Sequence, residues 1–239
     1  MTTLLEARRL VGGYGKIVAV REIDLDLQAG EVTAVLGPNG AGKTTLMMTL
    51  AGLLPRISGD VLLDGQPLPS GKPNVANLAG VVLVPDNRAL FTTLTVRENI
   101  EIARLTGQEH RVDEVIDLFP RLHDRLNLKA GALSGGEQQM LAMARGIVQN
   151  PKVFLIDEMS MGLAPIIVER LLPVVRHIAD SGAAVVLVEQ HISLALEVAD
   201  QAVVLVHGDV ALRGSAAELR TDPSRLERAY LGEGATTHA

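Results

Sequence analysis

One octapeptide limits what this 239-residue chain can become more than any other stretch. Gly37-Pro38-Asn39-Gly40-Ala41-Gly42-Lys43-Thr44 satisfies the pattern G-x-x-x-x-G-K-S/T in full. A short apolar run, Val32–Leu36, precedes it and reads as a buried strand. Residues 46–54 follow it and read as a helix stopped before Pro55. Strand, loop and helix in that order give the pattern its phosphate-binding meaning. Glycines let the backbone curl so that several N–H groups point inward at phosphate oxygens, and the helix beginning at Gly42 adds its positive end. Lys43 places a mobile cation near the β- and γ-phosphates. Thr44 offers a hydroxyl to Mg²⁺, and Thr45 completes the cofactor-binding stretch. A glycine-rich turn with a chance lysine is the plainer reading, but it leaves the strand–loop–helix setting unexplained. By itself the loop keeps kinases, GTPases and ATPases open.

The rest of the chain supplies an α/β framework. Apolar runs at residues 81–84, 153–156 and 183–188 are continuous rather than alternating, as in strands buried on both faces of a parallel sheet. Between the last two, Val168, Leu171, Leu172 and Val175 recur at helical spacing. This alternation predicts a P-loop NTPase core with a mostly parallel sheet. Two segments break it. Residues 1–27, with Ile23, Leu25 and Leu27 at period 2, predict an N-terminal antiparallel β edge. Residues 93–148, with helical patches at 112–118 and 138–148, predict a helical subdomain inserted into the core. The expected organisation is one domain over residues 1–232 and a frayed, small and polar tail over 233–239.

A carboxylate pair follows the apolar run at 153–156. Asp157 at the strand's end can hold Mg²⁺ beside Thr44, and Glu158 would face the γ-phosphate and polarise an attacking water. Any strand running into a loop can end in two acids. Beside a phosphate loop the pair favours hydrolysis over phosphoryl transfer, because it supplies a water activator.

Leu133-Ser134-Gly135-Gly136-Glu137-Gln138-Gln139 narrows the class. Ser134 with Glu137 three residues on is a capping box for the helix that follows, and the same serine, glycines and helix start make a second anion site. Here the sequence resembles the ABC (ATP-binding cassette) ATPase family, whose signature usually reads LSGGQ; Glu137 takes the fifth place. The resemblance implies ATP and Mg²⁺ as cofactors. It also implies a homodimer or heterodimer with a sister cassette, in which Ser134, Gly135, Gly136 and Glu137 cap the nucleotide on the partner's phosphate loop.

Smaller loops extend the resemblance over residues 4–232. Tyr14, in Gly12-Gly13-Tyr14-Gly15, occupies the place of an adenine-stacking aromatic. Asp86, in Val84-Pro85-Asp86-Asn87-Arg88, stands where the family has a glutamine that meets Mg²⁺; a turn-forming Asp-Asn pair is the equal alternative. In Val188-Glu189-Gln190-His191 the γ-phosphate switch falls on Gln190 or, one residue on, His191. Strand alternation lets only one of them face the phosphate, and Gln190 is favoured by its register, with His191 as a cap for the next helix. In residues 160–165 Ala164 replaces the acid usual in the family's dimer-crossing loop. That G-L-A-P ending, the V-P-D and V-E-Q loops and Ala229-Tyr230-Leu231-Gly232 resemble the branch serving branched-chain amino acid import. An ABC exporter ATPase and a soluble, non-transport ABC ATPase are the rivals.

Composition sets the remaining expectations. The net charge of −6 and an aromatic content of 2% argue against a nucleic-acid partner, and the absence of cysteine excludes disulfides and thiolate metal sites. No apolar run reaches the roughly 18 residues of a membrane span. The expectation is a cytoplasmic protein, peripheral at the inner face of the cell membrane, touching it only through transmembrane permease subunits.

Overall fold

A computed structural model describes residues 2–230; the tail expected to fray, 233–239, lies outside the described residues. The chain opens with a long hairpin, β1 (Thr3–Tyr14) and β2 (Ile17–Gln28), followed by β3 (Val32–Leu36) and helix α1 (Lys43–Leu50). Next come β4 (Arg56–Leu63), β5 (Gln66–Pro67), α2 (Pro73–Ala79) and β6 (Val81–Val84). Helices α3 (Val96–Glu101), α4 (Arg111–Asp117), α5 (Pro120–His123) and α6 (Gly135–Ile147) fill the segment before β7 (Val153–Asp157). The chain then alternates through α7 (Pro165–Asp180), β8 (Ala184–Val188), α8 (Ile192–Val198) and β9 (Gln201–Val206). It closes with β10 (Asp209–Ser215), α9 (Ala216–Thr221) and α10 (Pro223–Tyr230).

Two sheets result. The first is antiparallel, in the order β2-β1-β4-β5. The second runs β10-β9-β3-β8-β7-β6, parallel throughout except for the β9–β10 pair. This is the α/β fold with an antiparallel edge that the sequence predicts. The continuous apolar strands are explained by two cores on opposite faces of the larger sheet. Along β8, Ala184, Val186 and Val188 join the core shared with the hairpin and α1, while Val185 and Leu187 join the core shared with α6 and α7. β7 divides the same way, with Val153 and Leu155 on one side and Phe154 and Ile156 on the other. The hairpin has only one buried face, so Ile23, Leu25 and Leu27 alternate with exposed residues.

Some boundaries differ from the sequence reading. Helix α1 stops at Leu50 instead of running to residue 54. Gly52 turns left-handed at φ 70°, and the Leu53 and Leu54 N–H groups both fold back onto the Met48 carbonyl. The sequence reading names no strand at β4, β5, β9 or β10; β4 is interrupted by Gly59 and Asp60, β5 is two residues long and β10 is an edge strand without an apolar run, whereas β9 carries the apolar run Ala202–Val206.

Helix α6 packs on the α6/α7 side of the larger sheet, and Gly146 lies close against that sheet. A Cβ there would lie 2.4 Å from the Phe154 ring and 3.1 Å from a Val84 methyl. Gly146→Ala therefore gains about 1 kcal/mol of helix propensity but incurs an overpacking cost of about 1–3 kcal/mol. Equilibrium denaturant unfolding should show a net loss of stability; a gain would mean that Phe154 can move aside freely.

Candidate active site

Strands β3, β8, β7 and β6 are neighbours and all parallel, so their carboxyl ends meet at one edge, where open α/β sheets bind ligands. A cleft of about 510 Å³ opens there. The loop after β3 and the start of α1 line it with Asn39, Gly40, Gly42, Lys43, Thr44 and Thr45. Glu158 and Gln190 enter from the ends of β7 and β8, and Ala19 and Met161 complete the wall.

Backbone crowding shapes the phosphate loop. Gly37 sits at φ 146° with space for a Cβ only 2.2 Å from the Leu205 carbonyl oxygen. Gly42, the N-cap of α1, sits at φ 102° with the Ala19 carbonyl 2.3 Å from where a Cβ would be. No other residue type fits either position. The Ala41 carbonyl accepts the Gly208 N–H at 3.0 Å, tying the loop to the β9–β10 turn. At the start of α1 the first-turn N–H groups have no partner inside the helix and face the cleft with its positive dipole end. Lys43 is only 5% exposed, and its ammonium donates to the carbonyls of Gly37 at 2.8 Å and Pro38 at 3.1 Å. Burial lowers its pKa, while Glu158 and Asp157 work to raise it.

The carboxylate pair divides into one buried and one cleft-facing acid. Asp157 is 2% exposed, and its Oδ1 is buried with no hydrogen-bond partner. Burial pushes its pKa up to about 6; the Thr44 hydroxyl and Lys43 act against the rise, and the Asp86 and Glu158 charges add to it. An orphaned carboxylate oxygen beside a threonine hydroxyl fits a hard divalent cation that takes oxygen ligands. No cluster of three or more His, Asp or Glu side chains capable of holding a metal is present among the described residues. A cation here would therefore take its other ligands from phosphate and water. Glu158 adopts the left-handed conformation at φ 51°, which is costly for a non-glycine residue and turns its side chain into the cleft. Its Oε1 accepts the Gln190 amide N–H at 2.9 Å.

The other sequence-predicted residues are placed as follows. Gly37, Pro38 and Ala41 form the base of the loop. Asp86 is exposed; its Oδ1 accepts the Asn87 N–H at 2.7 Å, as in the turn reading, and its charge reaches Asp157. Tyr14 ends β1, half exposed, with its hydroxyl 3.6 Å from the Met48 sulfur. His191 does not line the cleft. It occupies the N-cap position of α8 without a side-chain capping bond, and its Nδ1 lies 3.4 Å from the Ser160 hydroxyl. Ser134 forms the full capping box: it accepts the Glu137 N–H at 3.3 Å, and Glu137 accepts the Ser134 N–H at 2.9 Å and hydroxyl at 2.7 Å. These bonds, the hydroxyl's first, hold the Glu137 carboxyl below its ordinary pKa. None of residues 134–137 lines the cleft, and Ser134 and Gly135 are exposed.

A family model described as ABC transporter matches residues 20–161, spanning the phosphate loop, the Ser134 stretch and the carboxylate pair. The chain belongs to the ABC transporter family. Over 223 residues it is 39% identical to a high-affinity branched-chain amino acid transport ATP-binding protein of Pseudomonas aeruginosa, BraG, covering 92% of this chain and 95% of the relative. It is 36% identical over 234 residues to a probable branched-chain amino acid transport ATP-binding protein of Archaeoglobus fulgidus, LivF, covering 96% and 99%. A lipopolysaccharide export system ATP-binding protein of Escherichia coli, LptB, matches at 30% over 235 residues, covering 96% and 97%. A solved ATP binding subunit of an ABC transporter superimposes with a TM-score of 0.83 at 26% identity, covering 96% of this chain and 99% of that one. No helix among the described residues is long and apolar enough to cross a membrane.

Sequence reasoning missed Ala19 and Met161 in the cleft wall. Ala19 comes from β2, and nothing local marks it. It also missed Arg88, which donates to Gln139 at 3.0 Å and Gln138 at 3.1 Å and so ties the loop after β6 to α6.

The raised pKa of Asp157 has a definite sign. Between the ordinary value of 3.8 and the folded value of about 6 the folded protein keeps a proton that the unfolded chain releases, so stability falls as pH rises through that window. Without nucleotide or Mg²⁺, Asp157→Asn should stabilise the protein at neutral pH by about 1–3 kcal/mol. The advantage should vanish below about pH 4, where the acid is protonated in both states. Thermal unfolding across that range checks it; parallel curves for the two proteins would contradict a buried, unpaired carboxylate.

Proposed function

We propose that this chain binds and hydrolyses ATP as one half of a two-cassette dimer that powers a transporter for branched-chain or related amino acids. The observation that carries the hydrolytic part is the convergence of Lys43, Thr44 and the Glu158–Gln190 pair in one cleft, with the orphaned Asp157 buried beside Thr44. ATP lies with its phosphates on residues 37–45. Lys43 leaves the Gly37 and Pro38 carbonyls for the β- and γ-phosphates, exchanging neutral acceptors for charged ones. Thr44 and Asp157 would hold Mg²⁺, which would neutralise phosphate charge, and Asp86, whose charge reaches Asp157, would act on the same ion from the loop after β6. Tyr14 stacks on the adenine.

Glu158 orients and polarises the attacking water. Gln190 holds the Glu158 carboxylate and senses the γ-phosphate. His191, turned toward Ser160, takes no direct part in this reading. Ser134 to Glu137 lie outside the cleft of their own chain, which supports their capping the nucleotide of a second cassette, as a homodimer or with a sister subunit. Ser134 then exchanges its hydroxyl bond to Glu137 for one to a phosphate oxygen. Hydrolysis removes the γ-phosphate that both chains grip, so the interface opens.

The transport assignment rests on the full-length likeness to two branched-chain amino acid ATP-binding proteins, which exceeds that to the export ATPase. On this reading the chain works at the inner face of the cell membrane, held there by permease subunits.

Glu158→Gln should keep nucleotide binding, slow turnover by a factor of about 100 or more and accumulate an ATP-bound dimer in size-exclusion chromatography. Near-normal turnover would remove Glu158 from its role. Lys43→Ala should weaken ATP affinity at least tenfold in a binding titration; unchanged affinity would refute the phosphate-loop reading. Mild solubilisation of membranes carrying a tagged chain should recover multi-span permeases encoded with an amino-acid-binding protein. Recovery of lipid-export components, or of no membrane protein, would overturn the transport assignment and leave the ATPase chemistry intact.

A further inference from the structure

Behind the Glu158–Gln190 pair lies a second pair that the proposed chemistry does not use. Glu189 is 1% exposed and Ser160 is 6% exposed. The Ser160 N–H donates to one Glu189 carboxylate oxygen at 2.9 Å and the Ser160 hydroxyl to the other at 2.5 Å, so both oxygens are engaged by one residue. Neither residue lines the cleft. The positions interlock: Ser160 follows Glu158 by two residues, and Glu189 precedes Gln190 by one. Between them the Glu158 N–H donates to the Val188 carbonyl at 3.0 Å. The loops leaving β7 and β8 are thus joined on the cleft side by Gln190 and Glu158 and on the buried side by Glu189 and Ser160.

We infer that Glu189, acting through Ser160, is a positioning residue that sets the geometry of the Glu158–Gln190 pair. The inference rests on the proposed role of Glu158 in activating water. Three observations carry it. A buried carboxylate is costly unless its oxygens are satisfied, and an apolar side chain would fill the space at less cost, so the acid is poorly explained as core packing. Glu158 holds a left-handed backbone conformation that persists only when its surroundings impose it, and the Ser160 tether, two residues on, anchors the same loop from its buried side. Glu189 directly precedes Gln190 just beyond the end of β8, so holding Glu189 in the interior restricts where the Gln190 side chain can reach. The same tether holds Met161, the next residue, in the cleft wall. The His191 Nδ1 touches the Ser160 hydroxyl at 3.4 Å from the outer side, a weaker contact.

The test compares four variants of the full-length protein for steady-state ATP hydrolysis and, separately, ADP affinity. Glu189→Gln retains the shape and both contacts: its oxygen accepts the Ser160 N–H, and its amide donates to the Ser160 hydroxyl. Glu189→Ala removes both, and Ser160→Ala removes the hydroxyl contact alone. Glu189→Ala should lower kcat by about 10–100-fold with KM and ADP affinity within about twofold of the parent, because the loss lies in alignment of the water activator and not in nucleotide binding. Ser160→Ala should fall between, and Glu189→Gln should restore kcat to within about threefold. Parental kcat in Glu189→Ala or Ser160→Ala would overturn the inference, as would parallel loss of kcat and ADP affinity without rescue by Glu189→Gln. Should Glu189→Ala fail to fold, Ser160→Ala and Glu189→Gln decide alone. Glu158→Gln, run alongside, separates the two levels. Full activity there sinks the water-activator reading itself, whereas an inactive Glu158→Gln beside a fully active Glu189→Ala sinks only the positioning role.

Discussion

Four strands must end together for the cleft to exist. β3, β8, β7 and β6 are joined in that order by parallel ladders, so the loops that leave them emerge side by side. The phosphate loop, Gln190, Glu158 and Asp86 come from distant parts of the sequence but need only these ladders to meet. The hairpin's contribution is steric: the Ala19 carbonyl on β2 and the Leu205 carbonyl on β9 press against Gly42 and Gly37, and the loop is moulded between them.

The cleft is built against the grain of folding stability. Lys43 is buried, which lowers its pKa, and Asp157 is buried with one oxygen unpaired while Asp86 and Glu158 crowd it with like charge. A nucleotide and a divalent cation would relieve each of these, because phosphate replaces carbonyls as the lysine's partner and the cation takes the orphaned oxygen. The protein thus holds in its ligand-free fold part of the free energy that makes binding favourable, a common trade between stability and function.

What the sequence made legible follows from range. The phosphate loop, the acid pair and the capping box are local patterns, each decided within a few residues, and continuous apolar runs announce strands buried on two faces. The end of α1 was misread because Leu53 and Leu54 extend the apolar pattern past the point where Gly52 turns the backbone. β4 and β10 escaped notice because their partners, not their composition, make them strands. The choice between Gln190 and His191 was posed by strand alternation, and the fold turns the first into the cleft and the second toward Ser160. The Ser160–Glu189 pair, 29 residues apart, becomes visible only once β7 and β8 are known to be adjacent.

The division of β3, β7 and β8 between two cores has a consequence for motion. Their amides are sealed by apolar layers above and below and by ladder partners on both sides, so exchange with solvent there requires opening of the whole domain. Glu158 and Gln190 stand one or two peptide bonds beyond that most protected region. The site is therefore mounted on the slowest-opening part of the molecule, while the helical segment between β6 and β7 is tied to the loop after β6 by side-chain bonds such as Arg88 to Gln138 and Gln139. Rearrangement of that segment can move the loop carrying Asp86 without melting the strands that aim the Glu158–Gln190 pair.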